Sequence, residues 1–395
     1  MMQRKGYVLP LTFLLLISMA IVVGSLVYVI TAQFKSQGSD IAYAKCLYYA
    51  EAGMAKAVWY LKTSPYQGGY GFRWRRNNLT ESFGEGRYKI TVENGNDPLQ
   101  VKITVNGYCS PETRTFQAYY YTYPPAFNYA VFTTQAFNMF NNSIISNASV
   151  YADNNVYIGL NALIYYGLII TPNHTVTDVN TFKVKVYSVP FPAPSFPTLN
   201  TSYYDSQIAI AAQASPGSRN YSWIPIVNPS IYVNGDVNLG TSVFQYGQGS
   251  YQIVATGNIN IQDSANISSN ISIISGGTLT LNNGASVGDD SILFARQQID
   301  IENSYYNDHK LCILCPESIN LGNSVYLNGI IYGGSINFGN LARLNGSLMA
   351  GSYGAQNVLQ NLARVYYYHS LFPTVPPPGI AGAYSQVSGS WKEIK

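Results

Sequence analysis

Seven side chains in one stretch have the chemistry for acid–base work: Asp263, Asp289, Asp290, Asp300, Glu302, Asp308 and His309. Hydrolysis of a glycosidic bond needs two carboxyl groups flanking it, one giving a proton and the other attacking or activating water. Asp289 and Asp290 are adjacent, but they sit in a Gly-Asp-Asp-Ser turn, where solvated carboxylates are routine. Asp300 is the centre of an alternating Ile-Asp-Ile triplet, so it points away from the side its neighbours bury. No Arg or Lys stands where it would steer an acidic substrate between them. The expectation is no catalytic residue and no enzyme. Cys312-Ile-Leu-Cys315 has a spacing that zinc sites use, yet two residues three apart on a strand face opposite sides. No second Cys or His pair completes four ligands, so neither a metal nor a cofactor is expected.

The N-terminus carries a clearer signal. A short basic leader, Met1 to Gly6 with Arg4 and Lys5, opens onto an uncharged apolar run from Tyr7 to Phe34. A helix crosses a bilayer with about 20 such residues, and the run lacks a small-residue cleavage site behind it. The positive-inside rule puts the leader in the cytoplasm and everything after Phe34 outside, as a single-pass membrane protein. Beyond Lys35 the apolar residues Tyr43, Leu47, Ala50, Met54, Val58 and Leu61 recur at spacings of three and four, which predicts that the helix continues to Leu61 with one face to bury. Its length would be about 80 Å. Pro65 marks its far end.

These residues resemble type IV pilin precursors, in which a prepilin peptidase cuts after the leader glycine and the apolar helix is kept. The resemblance places the cut between Gly6 and Tyr7. Tyr49-Ala-Glu-Ala-Gly53-Met-Ala-Lys-Ala-Val-Trp-Tyr-Leu61 looks like the segment found at this distance in PilX-like minor pilins. It covers residues 1 to about 62. Major pilins carry Glu at the fifth mature position, and this chain has Leu11 there. That departure resembles minor or tip subunits. The resemblance implies other pilin subunits and the prepilin peptidase as partners, with membrane contact through Tyr7–Phe34.

Three alternating, β-branched runs follow: Arg87 to Glu93, Leu99 to Asn106 and Thr113 to Tyr121. They predict an antiparallel sheet over the helix stripe, ending at Pro124-Pro125. Cys46 borders the stripe and Cys109 follows the second run. In an oxidising exterior these two either pair or remain two thiols.

From there the chain repeats itself. Ile259-Asn-Ile261, Leu279-Thr-Leu281, Ile299-Asp-Ile301, Ile319-Asn-Leu321 and Ile336-Asn-Phe338 are spaced by 20, 20, 20 and 17 residues. Five to six residues before each lies an apolar pair: Ile253-Val254, Ile273-Ile274, Leu293-Phe294, Ile313-Leu314 and Ile330-Ile331. Short strands and turns at this period cannot bury their apolar positions alone, but stacked coils can, which predicts a parallel β-helix. Phe137-Asn-Met139, Val156-Tyr-Ile158 and Val237-Asn-Leu239 are weaker copies.

The expected architecture is mixed. It comprises a leader over residues 1–6, a transmembrane and amphipathic helix over 7–62, a small antiparallel β region over 63–125, a parallel β-helix over 126–370 and a C-terminal tail or cap over 371–395. The β-helix carries an insertion at about 171–230, with a Pro-rich piece from Val189 to Pro197 and a short helix from Tyr203 to Ala214 expected to pack across its flank.

Charge is sparse, 10% of 395 residues with a net charge of +3, while Tyr reaches 35 and Gly 34. Arg73-Trp74-Arg75-Arg76 is the only basic cluster, so no nucleic-acid partner is expected. Nine N-glycosylation triplets begin at Asn78, Asn141, Asn147, Asn173, Asn200, Asn220, Asn266, Asn270 and Asn345. The functional expectation is a non-enzymatic surface protein, a minor or tip subunit of a type IV pilus-like filament that displays its β-helix for adhesion to a surface glycan or protein, or for assembly. The alternatives are a membrane-anchored β-helix unrelated to pili and, less favoured, a cell-tethered polysaccharide-active enzyme.

Overall fold

The computed structural model describes residues 8–63, 68–71, 74–96, 99–110, 112–172, 175–179, 186–187, 196–226, 230–245, 251–263, 265–351, 357–380 and 386–394. Gly6, Tyr7, Pro65, Asn173 and most of the Pro-rich piece lie outside them. The architecture is the expected mixed one: a long apolar helix, a small antiparallel sheet, then a parallel β-solenoid of about ten turns.

Helix α1 spans Val8–Lys62, 55 residues. Four strands, β1 Arg76–Phe83, β2 Gly86–Asn94, β3 Gln100–Cys109 and β4 Glu112–Tyr121, form an antiparallel meander in that order. Alternation does what it should: in β3, Val101, Ile103 and Val105 are fully buried against the helix while their neighbours are half-buried. The buried face of α1 is Cys46, Tyr49, Ala50, Gly53, Met54, Ala57 and Leu61. This stripe is rotated from the expected one, since Tyr43 is exposed and Leu47 and Val58 are half-buried. Small side chains explain the rotation. A Cβ on Gly53 would lie 2.7 Å from Val105 Cγ1 and 2.9 Å from the Tyr88 ring, and one on Gly107 would lie 2.2 Å from the Cys46 carbonyl. The helix lies that close to the sheet, so the Ala-Gly face goes inward and the larger residues flank it.

The sheet has a fifth strand that the sequence pattern does not announce. Lys392–Ile394, at the end of the chain, pairs antiparallel with β4. Trp391 stacks on Phe116 at 5.5 Å, and Glu393 Oε1 lies 3.2 Å from Arg114 Nη1 while Glu393 Oε2 accepts a hydrogen bond from Tyr43 of α1 at 3.3 Å. Where a cap on the solenoid was expected, the end of the tail therefore closes the N-terminal sheet.

The solenoid has three faces. The first holds Tyr251–Ala255, Ile271–Ser275 and Ser291–Ala295. The second holds Ile259–Ile261, Thr278–Leu281 and Gln298–Ile301. The third includes Ile144–Ser146, Leu163–Tyr165 and Arg364–Tyr366, with the openings of the long strands Tyr306–Leu321, Tyr326–Phe338 and Arg343–Ala350. The triplets stack as their 20-residue period requires: Ile259 pairs with Leu279, Leu279 with Ile299, Ile299 with Ile319 and Ile319 with Ile336.

The coil order, however, does not follow the chain. Val131–Thr133 pairs with Leu348 to Ala350, Phe137–Met139 with Asn357–Leu359, and Ile144–Ser146 with Arg364–Tyr366. The coils of residues 131–187 thus stack on the last coil of the regular block and extend away from it. The chain enters the stack in its middle, builds outward, returns along the flank, and starts again at the other end with Arg219–Ile226 and Ser230–Val233. The stretch expected as an insertion is therefore a return crossing, and it contributes coil strands at both of its ends: Val176–Asp178, Val186–Tyr187 and Arg219–Ile226.

Helix α2, Ser202–Ala211, is part of that crossing and packs on the first face. Tyr204 is fully buried and stacks on Phe294 at 4.0 Å. The apolar pairs explain why. Of two consecutive strand residues one faces the solenoid interior and one faces out: Ile273, Leu293 and Ile313 line the inner core, while Ile274, Phe294 and Leu314 lie outside it with Phe132, Tyr151, Tyr204 and Phe372. That outer layer needs a cover, and α2 and the segment around Phe372 provide it.

Candidate functional site

The two halves of α1 differ in what they touch. From Leu11 to Phe34 the helix is exposed throughout, with Phe13 68% and Leu16 65% accessible, although this is its most apolar part. It is long and apolar enough to cross a membrane by length and composition. Its few hydroxyls bond back to the helix: Ser25 Oγ donates to the Val22 carbonyl at 2.8 Å and Thr31 Oγ1 to that of Val27 at 2.7 Å. Such bonding satisfies those hydroxyls without water, as lipid or a packed helix bundle demands. From Cys46 onward the helix is anchored instead. Glu81 accepts hydrogen bonds from Tyr60 at 2.6 Å and Tyr88 at 2.8 Å, one ring from the helix and one from β2. The Glu81 carboxylate raises the Tyr60 hydroxyl to about 12, with burial adding to it.

In the solenoid Asp289 and Asp308 meet at His309, while Asp290 and Asp300 have separate partners. Asp289 Oδ1 accepts the Lys310 amide at 2.9 Å and its Oδ2 lies 3.6 Å from His309 Nδ1. Asp308 Oδ1 is 3.9 Å from His309 Nε2. Asp290, in a left-handed turn conformation, faces the tail and takes both the amide and hydroxyl of Thr374 at 2.5 Å each. Asp300 accepts from Gln298 and from Asn320 one coil on, and Asn337 donates to Asn320 in turn. Asp263 and Glu302 are exposed. The adjacent Asp289 and Asp290 are thus committed to different partners, turn closure and tail attachment. Among the described residues no group of three or more His, Cys, Asp or Glu is placed to hold a metal ion.

The cysteines divide as strand geometry requires. Cys315 lies in the inner core and Cys312 in the outer layer, both buried. Burial pushes the Cys312 thiol well up and Cys315 to about 11, so neither is poised as a thiolate nucleophile or ligand. All four cysteines are free thiols. Cys46 is buried with Sγ 4.0 Å from the Cys109 carbonyl oxygen and 3.4 Å from that of Glu112. Of the glycosylation triplets, Asn78, Asn141, Asn147, Asn200, Asn220 and Asn266 are exposed and Asn270 is half-buried. Asn345 is 3% exposed and bonded to Tyr326 and Asn328, which no attached glycan would leave intact.

One arrangement was not anticipated from the sequence. On the third face, Tyr306 and Tyr326 stack at 4.7 Å, and the Arg343 guanidinium sits between Tyr326 at 5.2 Å and Tyr366 at 4.6 Å. Tyr366 is followed by Tyr368, whose ring lies parallel to it at 6.5 Å. Arg364 is the register partner of Arg343 on the next coil. The spacing signal is present: Tyr306, Tyr326, Arg343 and Arg364 are separated by 20, 17 and 21 residues, the same period as the apolar triplets. It is easily overlooked because the period is carried by polar and aromatic residues.

No family model matches the chain, and no curated protein matches it. Among solved structures the chain is similar to the competence-associated pilin ComZ from Thermus thermophilus, at 14% identity over 89% of this chain and 97% of that one, with a TM-score of 0.30. At that identity and score the likeness carries no argument about function, which has to come from this chain's own residues.

Proposed function

We propose that the protein is a non-enzymatic subunit of a type IV pilus-like filament, a PilX-like minor pilin held in the membrane and then in the filament by its N-terminal helix, with the solenoid displayed outside. The observation that carries this reading is the division of α1: a bare apolar half from Leu11 to Phe34, continuous with a half locked onto a sheet through Gly53 and Glu81. An anchor alone does not require the second half. A subunit that must transmit position from a helix bundle to a displayed domain does. The basic leader ending at Gly6 supports the reading, with prepilin peptidase cutting before Tyr7 and other pilins as partners. Leu11, where major pilins carry Glu, fits a low-copy subunit at or near a tip, because such a subunit has no preceding terminal amine to neutralise.

The test is whether the full-length protein enters filaments. Sheared-filament fractions should contain it at far lower abundance than a major subunit, and Gly6→Val should trap it in the membrane. Immunogold labelling spread evenly along filaments would argue against tip placement. Presence in the membrane but never in filaments would favour the plain membrane-anchored β-helix. The exterior location also makes a Cys46–Cys109 bridge chemically accessible, and non-reducing peptide mapping of protein from the envelope would detect it.

A further inference from the structure

The third face of the solenoid carries two guanidinium groups whose placement is unfavourable without a ligand. Arg343 and Arg364 are register partners on adjacent parallel strands, and their neighbours Leu344 and Val365 point into the core, so both project from the same outer face. Adjacent strands are about 4.8 Å apart, and like charges set side by side at that spacing repel. None of the ion pairs among the described residues involves either one. Arg343 is held by Tyr326, Tyr366 and the Asn345 side-chain oxygen, which its Nε reaches at 3.0 Å. An anion that accepted hydrogen bonds from both guanidinium groups would remove the repulsion.

We propose that this face binds an anionic polysaccharide of the cell exterior, with a uronate carboxylate seated between Arg343 and Arg364 and successive sugars lying along Tyr366, Tyr326 and Tyr306. The period of the ladder, one side chain per strand spacing, is close to the length of one sugar unit. Ring faces of Tyr326 and Tyr366 are occupied by Tyr306, Arg343 and Tyr368, which leaves hydroxyls and ring edges as the presented groups. That suits hydroxyl-rich chains, whereas a single-stranded nucleic acid needs open ring faces for its bases. Tyr306, 61% exposed, offers an open face at one end of the ladder, where a sugar ring can stack, and Tyr368, 40% exposed, ends the ladder on the other side. Asp308, on the same strand as Tyr306, and Asp289 both lie beside His309 at the Tyr306 end, so the ligand's charge belongs at the arginine end.

The inference rests on the solenoid being carried outside the membrane as proposed above. Binding by purified protein tests the ladder, and filament incorporation tests the subunit reading, so each fails separately. Full-length protein in detergent micelles is titrated with polygalacturonate and alginate, with neutral dextran and an oligothymidylate as comparisons. Both uronate polymers should bind in a salt-sensitive manner and dextran should not. The double variant Arg343→Gln with Arg364→Gln should lose at least about tenfold in affinity. Tyr306→Ala should lose about threefold, and Arg219→Gln, an exposed arginine on the second face, nothing. Should the double variant melt differently from the parent, Arg364→Gln alone serves, because its side chain touches no ring of the ladder; about threefold is expected. Failure of both uronate polymers to bind, equal binding of the oligothymidylate, or unchanged binding by the arginine variants would overturn the proposal.

Discussion

The antiparallel sheet and the solenoid bury their apolar residues in opposite ways. The sheet has one inner side and needs a foreign surface, the small-residue face of α1, with the fifth strand arriving from the far end of the chain. Each internal solenoid coil is covered above and below by a near copy of itself, so the core from Ala130 to Val365 is continuous and self-templated. The sheet is therefore specified by contacts between distant segments, and the solenoid by repetition. A single change should do different things in the two places: in the sheet it should loosen one docking, and in the solenoid it should interrupt a stack.

The largest effect should come from the solenoid interior. Ile313→Asp would place an unpaired carboxylate at a position 1% exposed, at a cost of at least about 4 kcal/mol. Loss of the main thermal transition, with the α1–sheet unit still resistant to proteolysis, would support the separation. Asn320→Ser, on the outward side of the same strand, should cost much less.

Gly53→Leu comes next, at about 1–3 kcal/mol, because the added atoms meet Val105 and the Tyr88 ring rather than open space. The sheet should loosen from α1 while the solenoid transition stays where it was. A shift of both transitions together would show that the two regions are one cooperative unit. Asp290→Ala should cost roughly 1.5–3 kcal/mol at most, by releasing the Thr374 amide and hydroxyl. Proteolysis after Phe372 should accelerate, and no hydrolytic activity should be gained or lost on any polysaccharide.

The smallest effect sharpens the comparison through pH. The neutral Tyr60 hydroxyl is favoured in the folded state because it donates to Glu81, which raises it to about 12 from a usual value near 10. Its stabilisation is complete below about pH 10 and is lost as pH rises toward about 12, since the unfolded chain releases that proton first. The sheet region should weaken over that window, and Glu81→Gln should flatten the dependence. Burial also raises Tyr332, to about 12, and the Cys315 thiol, to about 11, so the solenoid weakens in the same direction; the assignment is contradicted if Glu81→Gln leaves the alkaline weakening of the sheet region unchanged.

How much of this was legible depends on where a pattern is local. The triplets from Ile259 to Phe338 fix coil length and direction, and α1 is readable from composition and period. Coil order is not readable in the same way. Every coil presents similar aliphatic rungs, so the period alone does not say that Leu348 pairs with Val131. The C-terminal strand is three residues long, too short for an alternating signal, and its partner β4 lies more than 270 residues earlier. The covered flank did have a signal, the consecutive apolar pairs, because a strand that buries two neighbours in a row must be covered on both sides. The Tyr306–Arg364 ladder had one too, in the shared period of its residues. The carboxylates were legible in part: the Gly-Asp-Asp-Ser turn points to the turn closure that Asp289 makes, whereas the attachment of Asp290 to Thr374, 84 residues on, has no local signal.

The most direct test of the account is the mass of the N-terminal peptide of the protein recovered from the native envelope and from sheared filaments. A peptide beginning at Tyr7, found in both fractions, is the predicted result, because the bare half of α1 is then a processed filament helix. A leader intact through Gly6, with the protein confined to the envelope, would contradict it and leave a β-helix tethered to the membrane without a filament.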